Sequence, residues 1–338
     1  MYTREETIRR MNVLGRSGTP FFFVISYDLE HNLLFEKEGA GHGRSAAFSL
    51  PLGEYGAWGN SPPLPEQIRF EPVPCPVDWY VSAFSSVRAH LLRGDSYLLN
   101  LCVATPVKTN LTLSHLFRFA QAPYRMFLGP DASAAGVHGR ACSCFSPEPF
   151  VRVRGREIST FPMKGTADAA TLEARRWREE DEKENRESAT IVDLMRNDLS
   201  MVASRVQVKR YRYISPVETR GGTILQCSSE IGGVLPENWP SRLGEIIMAL
   251  LPAGSVTGAP KEATCRAIAE AEDMERGFYT GIFGFFNGRD LDSAVAIRFM
   301  EEDGANLVYK SGGGITVMSR MEDEYREAIA KVYVPFDL

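Results

Sequence analysis

The chain has 338 residues, 44% of them apolar and 24% charged, a composition that excludes an intrinsically disordered chain and a coiled coil. Thirty-eight lysines and arginines stand against 43 aspartates and glutamates, and the formal charge of −5 argues against a protein that coats nucleic-acid phosphates. An enzyme of small-molecule chemistry is the class that remains.

The first residues, Met1-Tyr2-Thr3-Arg4-Glu5-Glu6, carry both signs of charge and lack the apolar core of a secretory signal. No apolar run approaches the roughly 18 residues that span a bilayer, so a cytoplasmic protein without a membrane role is expected. Pro20 to Ile25 reads as a buried strand. Prolines 62, 63, 65, 72, 74 and 76 mark a connector from Ser61 to Pro76. Val77 to Leu92 is amphipathic and closes on Arg93-Gly94-Asp95, the pattern of a helix ending at a glycine. Tyr97 to Val103 reads as a buried strand. Phe150 to Thr160 reads as a hairpin, with Val151 and Val153 inward, Arg152 and Arg154 outward, a turn at Gly155 and a return through Ile158. Val206 to Ile214 and Ala294 to Phe299 read as further strands.

Three more helices are predicted: from about Leu172 to Asn197, from Gly258-Ala259-Pro260-Lys261 to near Arg276-Gly277 with Pro260 in its first turn, and from about Arg320 to Val334. Helices among many strands indicate a large mixed α+β fold, and no G-x-G-x-x-G follows a strand to signal a dinucleotide fold. Six cysteines without a C-x-x-C pair, and five histidines without H-E-x-x-H, read as reduced thiols and not as zinc ligands.

Glu184 and Glu187 are three apart on one predicted helix face, and Glu324 and Glu327 repeat that spacing with Lys331 one turn further on. Two such pairs can hold a hard cation such as Mg²⁺ through oxygen ligands, or they are solvated charged faces. Gly312-Gly313-Gly314 reads either as an anion-binding concavity of backbone N–H groups or as a flexible turn. Lys164, in Pro162-Met163-Lys164-Gly165-Thr166, is either a desolvated neutral nucleophile or a surface lysine. The stretch Gly254 to Lys261 has glycines and a lysine, but Pro260 and the lack of a Ser or Thr after Lys261 exclude a phosphate loop.

Taken in order, nine segments of the chain resemble the signature of the chorismate-utilising enzymes, and within them the synthase subunits of aminodeoxychorismate synthases. They are Gly94 to Tyr97, Phe145 to Phe150, Pro162 to Thr166, Ile191 to Asp198, Leu251 to Lys261, Arg276 to Gly281, Ala296 to Arg298, Ser311 to Ile315 and Glu324 to Glu327. The resemblance covers about residues 77 to 335. It implies an α+β sandwich of two stacked, antiparallel-rich sheets flanked by helices. Residues 1–75 would form a shortened N-terminal region packing on the catalytic region 76–338, the two making one interleaved domain.

Lys164 points to the aminodeoxychorismate subfamily, because the otherwise similar anthranilate synthases carry alanine there. Isochorismate and salicylate synthases place a lysine at the position of Leu98, which this chain lacks. By resemblance, Glu184, Glu187, Glu324 and Glu327 ligate Mg²⁺; Tyr279 and Arg298 hold the enolpyruvyl carboxylate with the backbone of Gly312, Gly313 and Gly314; Lys331 lies near the ring carboxylate. Ser255, Thr257, Gly258 and Gln226 line the substrate, Lys164 is the covalent nucleophile and Glu148 guides ammonia or exchanges a proton. Two positions depart from the family pattern: Leu98 replaces glutamine and Gln226 replaces a histidine near the leaving hydroxyl. The chain has no G-x-C-x-G nucleophile elbow, so ammonia is expected from a separate glutamine amidotransferase subunit. An anthranilate synthase and a catalytically silent chorismate-binding subunit are the alternative readings.

Overall fold

Five consecutive apolar residues, Phe21–Ile25, pair antiparallel with Ile282–Phe286 on one side and with Leu33–Glu36 on the other. Alternate side chains face opposite ways, so Phe21, Phe23 and Ile25 enter one apolar cluster and Phe22 and Val24 another. Both faces are buried, which is why this strand shows no polar alternation. The computed structural model describes residues 1–36, 46–56, 62–133, 140–168, 182–219, 222–304 and 306–336, without the side chains of 131, 133, 164–168, 182–187, 215–219 and 222–226.

The described strands form two antiparallel sheets. The first runs Met163–Asp168, Gly222–Val234, Glu157–Thr160, Pro149–Arg154, Leu291–Val295, Ile282–Phe286, Phe21–Ile25 and Leu33–Glu36, with Ser204–Thr219 also paired to Gly222–Val234. The second runs Gly258–Ala259, Leu98–Thr109, Asn306–Ile315, Phe299–Asp303, Cys142–Ser146, Tyr124–Leu128, Ala46–Leu50 and Gly53–Tyr55, with Phe70–Pro72 on the far end of Leu98–Thr109. The sheets stack face to face. Phe22 of the first lies 5.2 Å from Phe48 of the second, centroid to centroid, and Cys102, Met126, Cys144 and Phe299 complete the layer.

Helices Arg4–Ser17, Glu182–Ser200 and Leu243–Ala249 contribute Met11, Leu14, Ile191, Met195 and Ile247 to the cluster on the outer face of the first sheet. Helices Val77–Arg93, Leu113–Phe119, Lys261–Ala271 and Met321–Ala330 cover the second. Val77–Arg93 ends as expected, with Gly94 at φ 80° donating its N–H back to His90 and Leu91. The hairpin also forms as expected, across Pro149–Arg154 and Glu157–Thr160.

Four expectations change. The strand expected over Ala294 to Phe299 is two strands in different sheets, Leu291–Val295 and Phe299–Asp303, joined through Arg298 at φ 54°. Gly312-Gly313-Gly314 is neither a turn nor a concavity, because it continues the strand Asn306–Ile315 opposite Cys102, Leu101 and Asn100. The helix opened by Pro260 stops at Ala271, and Arg276 lies in the following loop. For the helix expected from about Leu172, residues 169–181 lie outside the described set, and the described helix is Glu182–Ser200. The helix expected from Arg320 to Val334 is shorter, at Met321–Ala330.

Candidate active site

Two crossovers between the sheets lie side by side. One carries Cys142–Ser146 into Pro149–Arg154 through Pro147 and Glu148, and the other carries Leu291–Val295 into Phe299–Asp303 through Ala296, Ile297 and Arg298. Val295 donates its N–H to the Glu148 carbonyl at 3.1 Å, and Phe145 donates to the Arg298 carbonyl at 3.0 Å. Glu148 is buried. These bonds set two of the expected site residues on the rim where strands change sheets.

On the helix-covered face of the second sheet, Ser311 donates to the Ala328 carbonyl at 3.1 Å, fixing the glycine strand against Met321–Ala330. Lys331 Nζ pairs with Glu327 Oε1 at 2.8 Å and donates to the Gly312 carbonyl at 2.9 Å. A Cβ on Gly313 would face Glu324 Oε2 and Lys331 Nζ, so a side-chain-free backbone, a buried carboxylate and an ammonium converge. Arg298 Nη1 donates to the Lys331 carbonyl at 2.8 Å and its guanidinium lies 4.4 Å from the Tyr333 ring centroid. Gly312, Gly313, Glu324, Glu327, Lys331 and Arg298 are therefore brought together.

Tyr279 has a different setting. It packs on Phe299 in the layer between the sheets, 6.0 Å between ring centroids, with its hydroxyl hydrogen-bonded to Cys102. Burial holds its phenol well above the ordinary value, and the Cys102 thiol is pushed up to about 12 by burial, with Arg276 opposing, so both stay neutral. Among the described residues no hydrogen bond joins Tyr279 to Arg298.

The segment expected as a substrate-lining loop is a short helix, Gly254–Thr257, that runs into the strand Gly258–Ala259; it packs on the helix Glu182–Ser200, and a Cβ on Gly254 would lie within 2.6 Å of Met195 Cε. Beyond Gly258, Lys261 at the start of the next helix ties this segment to the helix Glu182–Ser200, pairing with Asp198 at 2.9 Å and donating to the Leu250 carbonyl at 2.8 Å. Within the segment Ser255 is half-buried, Gly258 pairs with Leu99, and the fully buried Thr257 hydroxyl has no hydrogen-bond partner among the described residues. A buried hydroxyl without a protein partner leaves its donor and acceptor capacity for a ligand or an ordered water. Leu98 is buried in the same apolar cluster as Ile191, Met195 and Val256, which suits an apolar residue at this position.

Lys164 lies on the strand Met163–Asp168, opposite Cys227, while Thr166 faces Gln226, so Gly165 is the extra residue of a bulge. The side chains of Lys164, Gln226, Glu184 and Glu187 lie outside the described residues. The backbone carries Glu184 and Glu187 on the helix that supports the short helix Gly254–Thr257. Sequence reasoning overlooked two buried ion pairs beside this site, Glu272 with Arg276 and Glu301 with Lys310. The four-residue spacing of Glu272 and Arg276 is the available signal, although the pair lies beyond the helix Lys261–Ala271.

Residues 60–337 match the profile of the chorismate binding enzymes. The chain belongs to this family. An "Uncharacterized PabA-like protein" of Haemophilus influenzae is 44% identical over 335 residues, 99% of this chain and 98% of that one. Aminodeoxychorismate synthase component 1 of Bacillus subtilis is 28% identical and anthranilate synthase component 1 of Streptomyces coelicolor 31%, over 80% and 75% of this chain. The chain spans 57% and 49% of those two proteins' lengths. A 2,3-dihydroxybenzoate-specific isochorismate synthase of Bacillus anthracis superposes with TM-score 0.72 at 19% identity, covering 98% of this chain and 88% of that one, and shows the shared fold. Anthranilate synthase component I of Streptococcus pneumoniae superposes with TM-score 0.63 at 27% identity, over 78% and 58%. This chorismate-binding fold is thus a mixed α/β sandwich of two antiparallel sheets. Among the described residues no helix is long and apolar enough to cross a membrane.

Proposed function

We propose that this chorismate-utilising enzyme converts chorismate and ammonia to 4-amino-4-deoxychorismate, a precursor of p-aminobenzoate for folate, with ammonia delivered by a separate glutaminase subunit. The observation that carries this reading is Lys164, at the Gly165 bulge of the strand Met163–Asp168, in a segment that anthranilate synthases resemble except for the lysine. Bulges re-aim the side chains beside them and recur next to active sites.

In this reaction the neutral Lys164 amine forms a bond to ring carbon C2. The two ring double bonds shift, and the C4–O bond breaks with the electron pair leaving on oxygen. Ammonia then bonds to C4, the double bonds shift back, and the C2–N bond breaks to restore the Lys164 amine. The departing hydroxide gains a proton to become water, and the proton lost by the added ammonia balances it. Glu148, buried at the sheet crossover, accepts or relays that proton. A two-step displacement lowers each barrier relative to direct attack.

Arg298, with the backbone of Gly313 and Gly314, would bind the enolpyruvyl carboxylate, and Lys331 the ring carboxylate. Glu184, Glu187, Glu324 and Glu327 offer only carboxylate oxygens, a donor set suited to Mg²⁺, which when bound would neutralise the ring carboxylate.

Purified protein incubated with chorismate, Mg²⁺ and ammonium should yield 4-amino-4-deoxychorismate by mass spectrometry, and Lys164→Ala should lose the product while still binding chorismate. Fluorescent anthranilate as the direct product would establish the alternative synthase reading. No turnover by the wild type, with chorismate still bound, would establish the silent subunit.

A further inference from the structure

The strand Leu98–Thr109 is paired along one edge by Asn306–Ile315, while its other edge is covered only near its ends, by Gly258–Ala259 and Phe70–Pro72. In the stretch left open among the described residues, residues 100 and 102 present backbone groups on the same side. Two side chains meet them. Glu272 Oε1 accepts from the Cys102 N–H at 2.8 Å, and Arg276 Nη2 donates to the Asn100 carbonyl at 2.7 Å.

Those side chains are themselves joined in a fork, Arg276 Nε to Glu272 Oε2 at 2.9 Å and Nη2 to Oε1 at 2.7 Å, with both almost fully buried. A side-chain ion pair thus stands in for the missing strand. The same guanidinium reaches two more segments, for Nη1 donates to the Val256 carbonyl at 3.0 Å and to Thr280 Oγ1 at 3.3 Å. All five N–H donors of Arg276 are used. Its face lies over the Tyr27 ring at 4.5 Å, and Lys310, paired with Glu301, donates to the carbonyls of Glu275 and Arg276 at 3.0 and 3.1 Å.

We infer that Arg276, oriented by Glu272, is a positioning residue that sets the short helix Gly254–Thr257 and the turn carrying Tyr279 in register with the strand Leu98–Thr109. Val256 lies between Ser255 and Thr257, and Thr280 follows Tyr279, so each bond acts one residue away from a group expected to face substrate. An apolar pair of similar volume would often serve stability as well as a buried ion pair does. It could not hold three backbone segments by directed bonds. The clamp stands on its own geometry; its link to chorismate rests on the functional reading above.

Arg276→Lys keeps the charge opposite Glu272 but has three donors on a single atom, which cannot reach Asn100, Val256 and Thr280 together. Hydrogen exchange of the full chain, read on peptides covering 254–260 and 277–281, should accelerate by about tenfold, the value of one lost hydrogen bond, and the chorismate Kd by calorimetry should rise by about as much. Peptides covering 21–25 and 282–286 should exchange as in the wild type. Tyr124→Phe loses the bond to Asp292 at 2.8 Å away from the clamp, and serves as a destabilised control with unchanged Kd. Wild-type exchange at 254–260 in Arg276→Lys overturns the clamp, as does an equal rise in Kd in Tyr124→Phe at matched loss of Tm. If the wild type does not bind chorismate yet Arg276→Lys loosens both segments, the clamp holds and the functional reading falls. Should Arg276→Lys not fold, Glu272→Gln keeps the shape but replaces one of the oxygens that accept from Arg276 by an amide donor: faster exchange at both 254–260 and 277–281 supports the clamp, and unchanged exchange in both overturns it.

Discussion

Gly313 offers a substitution in which stability and activity should move in opposite directions. It lies in the strand Asn306–Ile315 opposite Leu101, and an added Cβ would meet nothing nearer than Glu324 Oε2 at 3.7 Å and Lys331 Nζ at 3.8 Å. Both are ordinary van der Waals separations, so alanine fits the folded chain. Removing a glycine's freedom from the unfolded chain then stabilises by about 0.4–1 kcal/mol, a Tm rise of roughly 1–3 °C in a protein of this size. The same methyl occupies the space between a carboxylate and an ammonium that the proposed reaction gives to a carboxylate of chorismate. Losing one hydrogen bond to a charged group costs about 1.5–3 kcal/mol, which corresponds to roughly a 10- to 150-fold fall in kcat/KM. Thermal unfolding and chorismate turnover should be measured on the same sample of Gly313→Ala. A wild-type kcat/KM would refute the substrate assignment of this space, and a lowered Tm would refute the geometry around Gly313.

Gly258→Ala should have the reverse character, because Gly258 has φ 128° and an added Cβ would lie 1.8 Å from the Leu98 carbonyl oxygen. Backbone strain and overpacking together cost roughly 2–6 kcal/mol, so calorimetry should show a large fall in Tm, and an unchanged Tm would disprove the pairing of Gly258–Ala259 with Leu98 and Leu99. The buried Asp198 carboxyl is held above its ordinary value of 3.8 by burial, with Lys261 opposing. The folded chain therefore keeps this proton more tightly than the unfolded chain, and the contribution is full below the unfolded value and lost as pH rises through the raised folded one. Urea unfolding at stepped pH should show the wild type losing stability relative to Asp198→Asn as pH rises from below 3.8 toward neutrality; a difference that does not change with pH would refute this.

The elements that could be read from the chain are those whose signals are local. The Val151 and Val153 alternation with Arg152 and Arg154 marks a strand with one buried face, and Gly155 marks its turn; the folded hairpin has that register. Gly94 could be read as a helix stop because only its own backbone conformation is involved. Ala294 to Phe299 was opaque for the opposite reason. Its six residues are apolar except Arg298, and nothing local says that Val295 belongs beside Ile282 while Phe299 belongs beside Lys310. The glycine run misled in the same way, since three glycines look like a turn until Leu101 and Asn100 are placed opposite them.

The candidate site divides along the same line. Amino-acid order alone determines the chemical inventory: the carboxylate pairs at 184/187 and 324/327, the lysine in Pro162 to Thr166, and the ordered motifs that mark a chorismate-binding chain. These survive as text because residue identity and spacing do not depend on fold. Tertiary pairing decides which of them meet. It sets Arg298 at a sheet crossover near Lys331, turns Tyr279 into the layer between the sheets, and closes the open edge of Leu98–Thr109 with Glu272 and Arg276. Such contacts join residues up to 176 positions apart, and no local preference encodes a bond that forms only once two stacked sheets have brought its ends together.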